Sequence, residues 1–170
     1  MAKDADQIRS LVAPILVPGE ELVATVKVNY NGTIAPNTLS VDAALAGIDL
    51  DHTRGLPDPD STVSFPSANQ MALALTGGRI FCWSLGFSGK PKQFLGEVPL
   101  TAIAELHAGE ISFGAILRIV MKSGAVVDLE YMKGEPAEQF TAAIMDLVGA
   151  LPPTAAPPLP APAPLPPEQF

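Results

Sequence analysis

Cysteine is nearly absent from this sequence. A single residue, Cys82, excludes an intramolecular disulfide and any multi-cysteine zinc site. Its place in an apolar alternation points to a buried, inert thiol. Histidine is scarce too, so His52 and His107 are the only imidazole bases on offer. Positive charge is also short, with 10 Lys and Arg against 18 Asp and Glu and a formal net charge of −8. Nucleic acids and anionic membranes are met by clustered Lys and Arg, so this balance argues against a general binder of either. It still leaves room for a local basic patch. No apolar run is long enough to span a bilayer, and the longest, residues 111–121, contains Arg118. The opening Met-Ala-Lys-Asp-Ala-Asp-Gln lacks the basic and apolar regions of a secretion signal. A cytoplasmic protein is expected.

What is present suits one domain: 170 residues, 48% of them hydrophobic, enough for a sizeable core. The organising stretch is Asn69-Gln-Met-Ala-Leu-Ala-Leu-Thr-Gly-Gly-Arg-Ile-Phe-Cys-Trp-Ser84. Two apolar strands flank Gly77-Gly78, which predicts a two-residue hairpin turn with φ > 0 at both glycines. The register then sets Leu75 against Ile80, Leu73 against Cys82 and Ala72 against Trp83. Alternation puts Met71, Leu73, Leu75, Ile80 and Cys82 on a core face. Phe81 and Trp83 lie on the other face with Ala72 and Ala74, which is too apolar to stand bare.

Around this hairpin the chain reads in order. Residues 4–15 predict a short helix, with capping-box spacing at Asp4 and Gln7 and apolar Ile8, Leu11, Val12 and Ile15. Pro18-Gly19 ends it. A strand follows over 21–30, and Asn31-Gly32 marks a turn. Residues 31–66 form an irregular insertion, broken by prolines and carrying five aspartates against Arg54 alone. Its expected role is to cover the Phe81/Trp83 face, with 39–50 a short helix or apolar strip. Phe87-Ser-Gly-Lys-Pro-Lys92 is a polar loop. Strands are expected at 94–100 and 103–108, and a second hairpin joins 115–122 to 126–131. Centring that turn on Gly124 pairs Leu117, Ile119 and Met121 with Tyr131, Leu129 and Val127, and sets Arg118 against Glu130 as a solvent-facing ion pair. Pro136 opens a closing helix with Ala137, Phe140, Ile144, Leu147, Val148 and Leu151 as its apolar stripe. The domain boundaries follow: an N-terminal helix and turn at 1–20, a domain at 21–150 and a disordered Pro/Ala-rich tail at 151–170.

The order of seven antiparallel strands and a closing helix, with a short N-terminal helix, gives a mainly β fold. The chain resembles the bacterial pleckstrin-homology-like (PH-like) domain family. The resemblance is carried by Val17-Pro-Gly-Glu-Glu21, Ala74-Leu-Thr-Gly-Gly-Arg-Ile80, Leu95-Gly-Glu-Val-Pro-Leu-Thr-Ala-Ile-Ala-Glu105 and Lys122-Ser-Gly124. It implies a seven-stranded antiparallel barrel or sandwich plugged by the C-terminal helix. It also implies a binding or assembly module without catalysis, whose ligand differs between members.

Other readings are weaker on chemical grounds. Inositide recognition needs a basic cluster between the first two strands, where this chain is acidic. Asp49-Leu-Asp-His52 with Asp58 and Asp60 offers oxygen ligands for calcium, but not at EF-hand spacing, and reads as a solvated loop. Gly86-Phe-Ser-Gly89 differs from a nucleophile elbow in spacing and context, and nothing ties His52 or His107 to Ser88. The tail's Pro157-Pro-Leu-Pro160 and Pro164-Leu-Pro-Pro167 have PxxP form without a flanking cation, so a spacer is the expected role. No cofactor, metal or catalytic residue is expected. The leading expectation is a non-catalytic module docking a protein or peptide, with a second copy of the chain among the candidates. Phe81, Trp83, Phe87, Lys90 and Lys92 are its candidate binding residues, together with the groove between the barrel edge and the closing helix. A peripheral lipid adaptor using Lys90 and Lys92 is the alternative, and a small enzyme the third reading.

Overall fold

One long strand, β1 (Leu22–Ile34), joins the two halves of the structure. The computed structural model describes residues 2–34, 61–111, 114–132 and 134–151. The expected strip at 39–50, the aspartate cluster with His52, and the Pro-rich tail from residue 152 lie outside the described residues. The remaining elements are α1 (Ala2–Val12), β2 (Gln70–Thr76), β3 (Arg79–Leu85), β4 (Pro91–Pro99), β5 (Ile103–Ile111), β6 (Gly114–Met121), β7 (Val126–Met132) and α2 (Glu135–Gly149). The strands make a single antiparallel sheet in the order β4-β3-β2-β1-β7-β6-β5. The mainly β fold with seven strands and a closing helix is as expected, but the sheet is not closed into a barrel: β4 and β5 are its two edges.

β1 can serve both halves because it changes partner along its length. Leu22 to Asn29 pair with β2, and Asn29 to Ile34 pair with β7. The expected turn at Asn31-Gly32 is absent. These residues instead sit in a register irregularity between Tyr30 and Thr33, the kind of bulge that bends a strand without ending it.

The two halves close over one core. Leu73, Leu75, Ile80, Cys82 and Val98 from one half meet Leu117, Ile119, Val127 and Leu129 from the other. Helix α2 seals it with Ala137, Phe140 and Ile144, while Leu147, Val148 and Leu151 pack at its margin, so the whole predicted stripe faces inward. Phe65 also enters this core. Pro66 lies beside Gly96, whose φ of +138° favours a residue without a side chain.

The first hairpin has the expected register, Leu75 with Ile80 and Ala72 with Trp83. Its turn differs. Neither Gly77 nor Gly78 has positive φ, because the Thr76 hydroxyl closes the turn, accepting from the N–H groups of Gly78 (3.4 Å) and Arg79 (3.2 Å). The second hairpin is displaced by two residues, so Leu117 faces Leu129 and Arg118 faces Asp128. Gly124, at φ +86°, takes the left-handed position that ends a three-residue loop, which centres the turn on Ser123. A shift of two preserves every side chain's face. Arg118 nevertheless is buried, and its partner is Asp128 and not Glu130.

Helix α1 starts at Ala2, so Asp4 lies inside it and is not its cap. Pro14 limits its continuation, and the chain passes into a 3₁₀ turn at Ala13–Ile15. Ile8 and Val12 are buried, whereas Leu11 and Ile15 remain exposed. The buried pair packs on Ala72, Ala74, Phe81 and Trp83, with Leu16, Leu22 and Leu85 at the margin. Thus the N-terminal helix packs on the outer face of β2 and β3; residues 35–60 of the insertion expected to cover that face lie outside the described residues.

Candidate binding surfaces

The five sequence-nominated residues separate into two groups. Phe81 and Trp83 are buried, at 1% and 5% exposure, so they are packing residues beneath α1 and not an accessible surface. Their rings lie 6.1 Å apart, and Phe94 from β4 stands 5.4 Å from Trp83 and 6.4 Å from Phe81. These are ordinary spacings for tilted aromatic pairs in a core. Phe87, Lys90 and Lys92 are exposed, all on the β3–β4 loop or its returning strand.

The cover is fastened by a polar cluster that pattern reading did not single out. Val17 to Glu20 form a turn in which the Glu20 N–H donates to the Val17 carbonyl (2.9 Å) and Gly19 has φ +86°, as a Pro-Gly turn requires. This aims the Glu20 carboxylate at Arg79. The guanidinium donates from Nε to Oε1 (2.9 Å) and from Nη2 to Oε2 (2.7 Å). Its Nη1 reaches Glu97 at 2.7 Å, and the group lies 4.6 Å from the centre of the Phe81 ring. Thr76 donates to Glu20 at 2.7 Å. The Arg79 bonds, with help from Thr76 and the Val17 N–H, hold the Glu20 carboxyl down to about 2 despite its partial burial. Glu20 and Arg79 belong to two of the motifs that carried the family resemblance, and here those motifs grip each other.

Two grooves flank α2. One, of about 380 Å³, lies between β5 and α2, with Ala108, Gly109 and Ala115 on the sheet side and Ala137, Thr141 and Ala142 on the helix. Tyr131 contributes to its lining, and Glu110 and Glu138 stand at its margin. The Tyr131 hydroxyl is bonded to that of Thr141, tying the last strand to the helix. Burial raises the Tyr131 pKa, only partly offset by that bond. The other groove, of about 540 Å³, runs between α1, the middle of β1, Gly89 and the start of α2. The sequence signal for the first groove was the run of small residues on β5 and α2, which does not stand out in a chain so rich in alanine.

Groups considered for chemistry are dispersed. Burial pushes the Cys82 thiol up to about 12, which leaves it protonated at neutral pH. Ser88 is in the β3–β4 loop. His107 is on β5, at the opposite edge of the strand order, where its Nε2 lies 3.1 Å from Glu105. Among the described residues, no group of three or more His, Cys, Asp and Glu converges to hold a metal ion. Among them, too, no helix is long and apolar enough to cross a membrane.

No protein-family model and no curated protein matches this chain. Among solved structures, it is similar to the hSac2 domain of the human phosphoinositide phosphatase Sac2, with 11% identity and a TM-score of 0.40 over 84% of this chain and 76% of that one. It is also similar to the DH/PH domains of p115-RhoGEF, with 9% identity and a TM-score of 0.39 over 86% of this chain and 36% of that one.

Proposed function

We propose that the chain is a non-catalytic binding or assembly module that docks an extended peptide or protein segment between β5 and α2. The observation that carries this reading is the free edge of β5. Among the described strands β5 pairs only with β6, and its residues Ala108, Gly109 and Glu110 line the groove beside α2. An extended segment can add to such an edge as another strand, gaining main-chain hydrogen bonds while its alternate side chains enter the groove. The small residues Ala108, Gly109 and Ala142 allow close approach. Glu110 and Glu138 at the margin, on a chain of net charge −8, favour a segment with basic side chains. In this reading the chain works in the cytoplasm, as its composition suggests, and a second copy of the chain is one admissible partner.

The test is selection from a displayed peptide library on the full chain, followed by titration against Ala142→Trp, which fills the groove from an exposed helix position. Selected peptides should bind the original protein and lose at least tenfold in affinity to a variant of unchanged melting temperature. Peptides that bind both proteins equally would place the site elsewhere.

A further inference from the structure

Residues 152–170 follow α2 directly and are mostly proline and alanine, with no charged side chain before Glu168. Proline cannot donate to a strand ladder, and Glu110 and Glu138 at the β5–α2 groove favour a basic occupant, so this segment does not suit that edge. The other groove, of about 540 Å³, suits it better. Its walls are largely apolar, with Ile8 from α1, Leu85 from β3 and Pro136 from α2, and its two charged residues, Lys27 and Glu130, are opposite in sign. Asn29 and Gln70 also line it, and Gln70 Nε2 donates to Asn29 Oδ1 at 3.4 Å. Side-chain amides of this kind donate to carbonyls as well, and carbonyls are the backbone polar group that a proline-rich segment keeps at every residue.

The segment also starts within reach. Leu151 packs at the margin of the core and its N–H donates to the Val148 carbonyl at 3.2 Å, so the chain leaves α2 on its sheet side. Helix α2 has 15 residues, about 22 Å of length, and Pro136 in the groove belongs to its first turn. A polyproline II segment rises about 3.1 Å per residue, so roughly seven residues run that length back. Starting at Pro152, this brings Pro157-Pro-Leu-Pro160 to the groove. We propose that the groove between α1, β1 and α2 is the docking site of this chain's own Pro157–Pro160 segment, with Leu159 entering between the apolar walls and the segment's carbonyls accepting from Asn29 and Gln70. A short tether supplies an effective concentration on the order of 1 mM, so a contact with a dissociation constant of about 0.1 mM is occupied about nine-tenths of the time. The same contact between separate molecules at micromolar concentration is nearly empty. The docked segment joins α1 to β1 and α2, and any other proline-rich ligand has to displace it.

The experiment compares amide NMR spectra of the full chain with those of the full-length Leu159→Ser variant. Shifts should differ at Thr25, Asn29, Gln70 and Gly134, which line this groove, and coincide at Ala108 and Gly109, which line the other. A nitroxide on Ala161→Cys measures proximity, and because Cys82 has no exposed surface the label enters the tail alone. It should remove most of the amide signal of Asn29 and Gln70, to the same extent after dilution, and adding Leu159→Ser should restore that signal severalfold. Ala142→Trp, outside this groove, should leave the pattern unchanged. Identical spectra for the two chains would overturn the proposal, as would shift differences at Ala108 and Gly109 instead. Signal loss that fades on dilution would assign the tail to a second copy and overturn it too.

Discussion

Arg118 on β6 and Asp128 on β7 face each other directly across the sheet and are joined by two parallel hydrogen bonds, Nε to Oδ1 at 2.7 Å and Nη2 to Oδ2 at 2.8 Å. Both side chains are buried, at 1% and 0% exposure. A paired buried charge tolerates its surroundings; an orphaned one does not. Asp128→Ala should therefore cost about 3–5 kcal/mol, because it leaves a guanidinium without its carboxylate. Replacing both, Arg118→Met with Asp128→Leu, should recover most of that loss. Urea titration of the two variants checks this, and equal instability of both would show that the pair is valued for more than charge balance.

Glu20 gives the structure an acid-sensitive fastening. Its folded pKa lies near 2, below the ordinary 4.5, so the unfolded chain binds more protons as pH falls through this range. The stability that Glu20 contributes is complete above about 4.5 and is lost as pH falls toward 2. At neutral pH Glu20→Gln should destabilise by about 2 kcal/mol, the usual scale for hydrogen bonds to a charged group. The gap between variant and original should narrow steadily below pH 4.5. Melting curves from pH 7 to pH 3 measure it, and a gap independent of pH would remove Glu20 as its source.

Cys82 supplies a clean probe of global opening. It has no exposed surface and a thiol held near 12, so the thiolate is doubly suppressed, by access and by acidity. An aromatic disulfide reagent at pH 8 should leave the folded chain unlabelled for hours and label it fully in denaturant. Rapid native labelling would mean that the first hairpin opens locally.

The legible parts of the fold were those in which one side-chain period decides the outcome. Alternation around Leu73, Leu75, Ile80 and Cys82 fixed both register and core face, because a one-residue slip exposes the whole set. The α2 stripe followed from helical spacing in the same way. The second hairpin differs from its expected register by two residues, a shift that leaves the alternation unchanged, and the left-handed Gly124 separates the alternatives. Arg118 stands on the face that alternation assigns to it and is buried there all the same, paired with Asp128. The Gly-Gly turn departs from the expected positive angles because the Thr76 hydroxyl closes it from the side. As for the candidate site, Phe87, Lys90 and Lys92 were found as a polar loop, since loops lie at surfaces. Phe81 and Trp83 were recognised as needing a cover, but pattern alone does not say which segment arrives. Among the described residues, Ile8 and Val12 pack on that face, next to the Glu20–Arg79 bonds.

That cover leads to a prediction on local stability. Helix α1 contributes Ile8 and Val12 to a small cluster separate from the main core, and it is followed by the exposed residues Ile15 and Val17. A helix held, among the described residues, by two buried side chains and one ionic fastening belongs to the part of a structure that opens before the rest. Ile8→Ala should cost about 2–5 kcal/mol if its cavity were charged to the whole fold. With so small a contact to the sheet, α1 should open first, and most of that loss should appear as local release. The single tryptophan reports it directly, since Trp83 lies under α1 at 5% exposure. In Ile8→Ala with Val12→Ala, Trp83 emission should move to the red and become accessible to acrylamide at temperatures well below the main transition. The strand signal in circular dichroism should persist over the same range. Loss of both signals in one transition would instead make α1 part of the cooperative core.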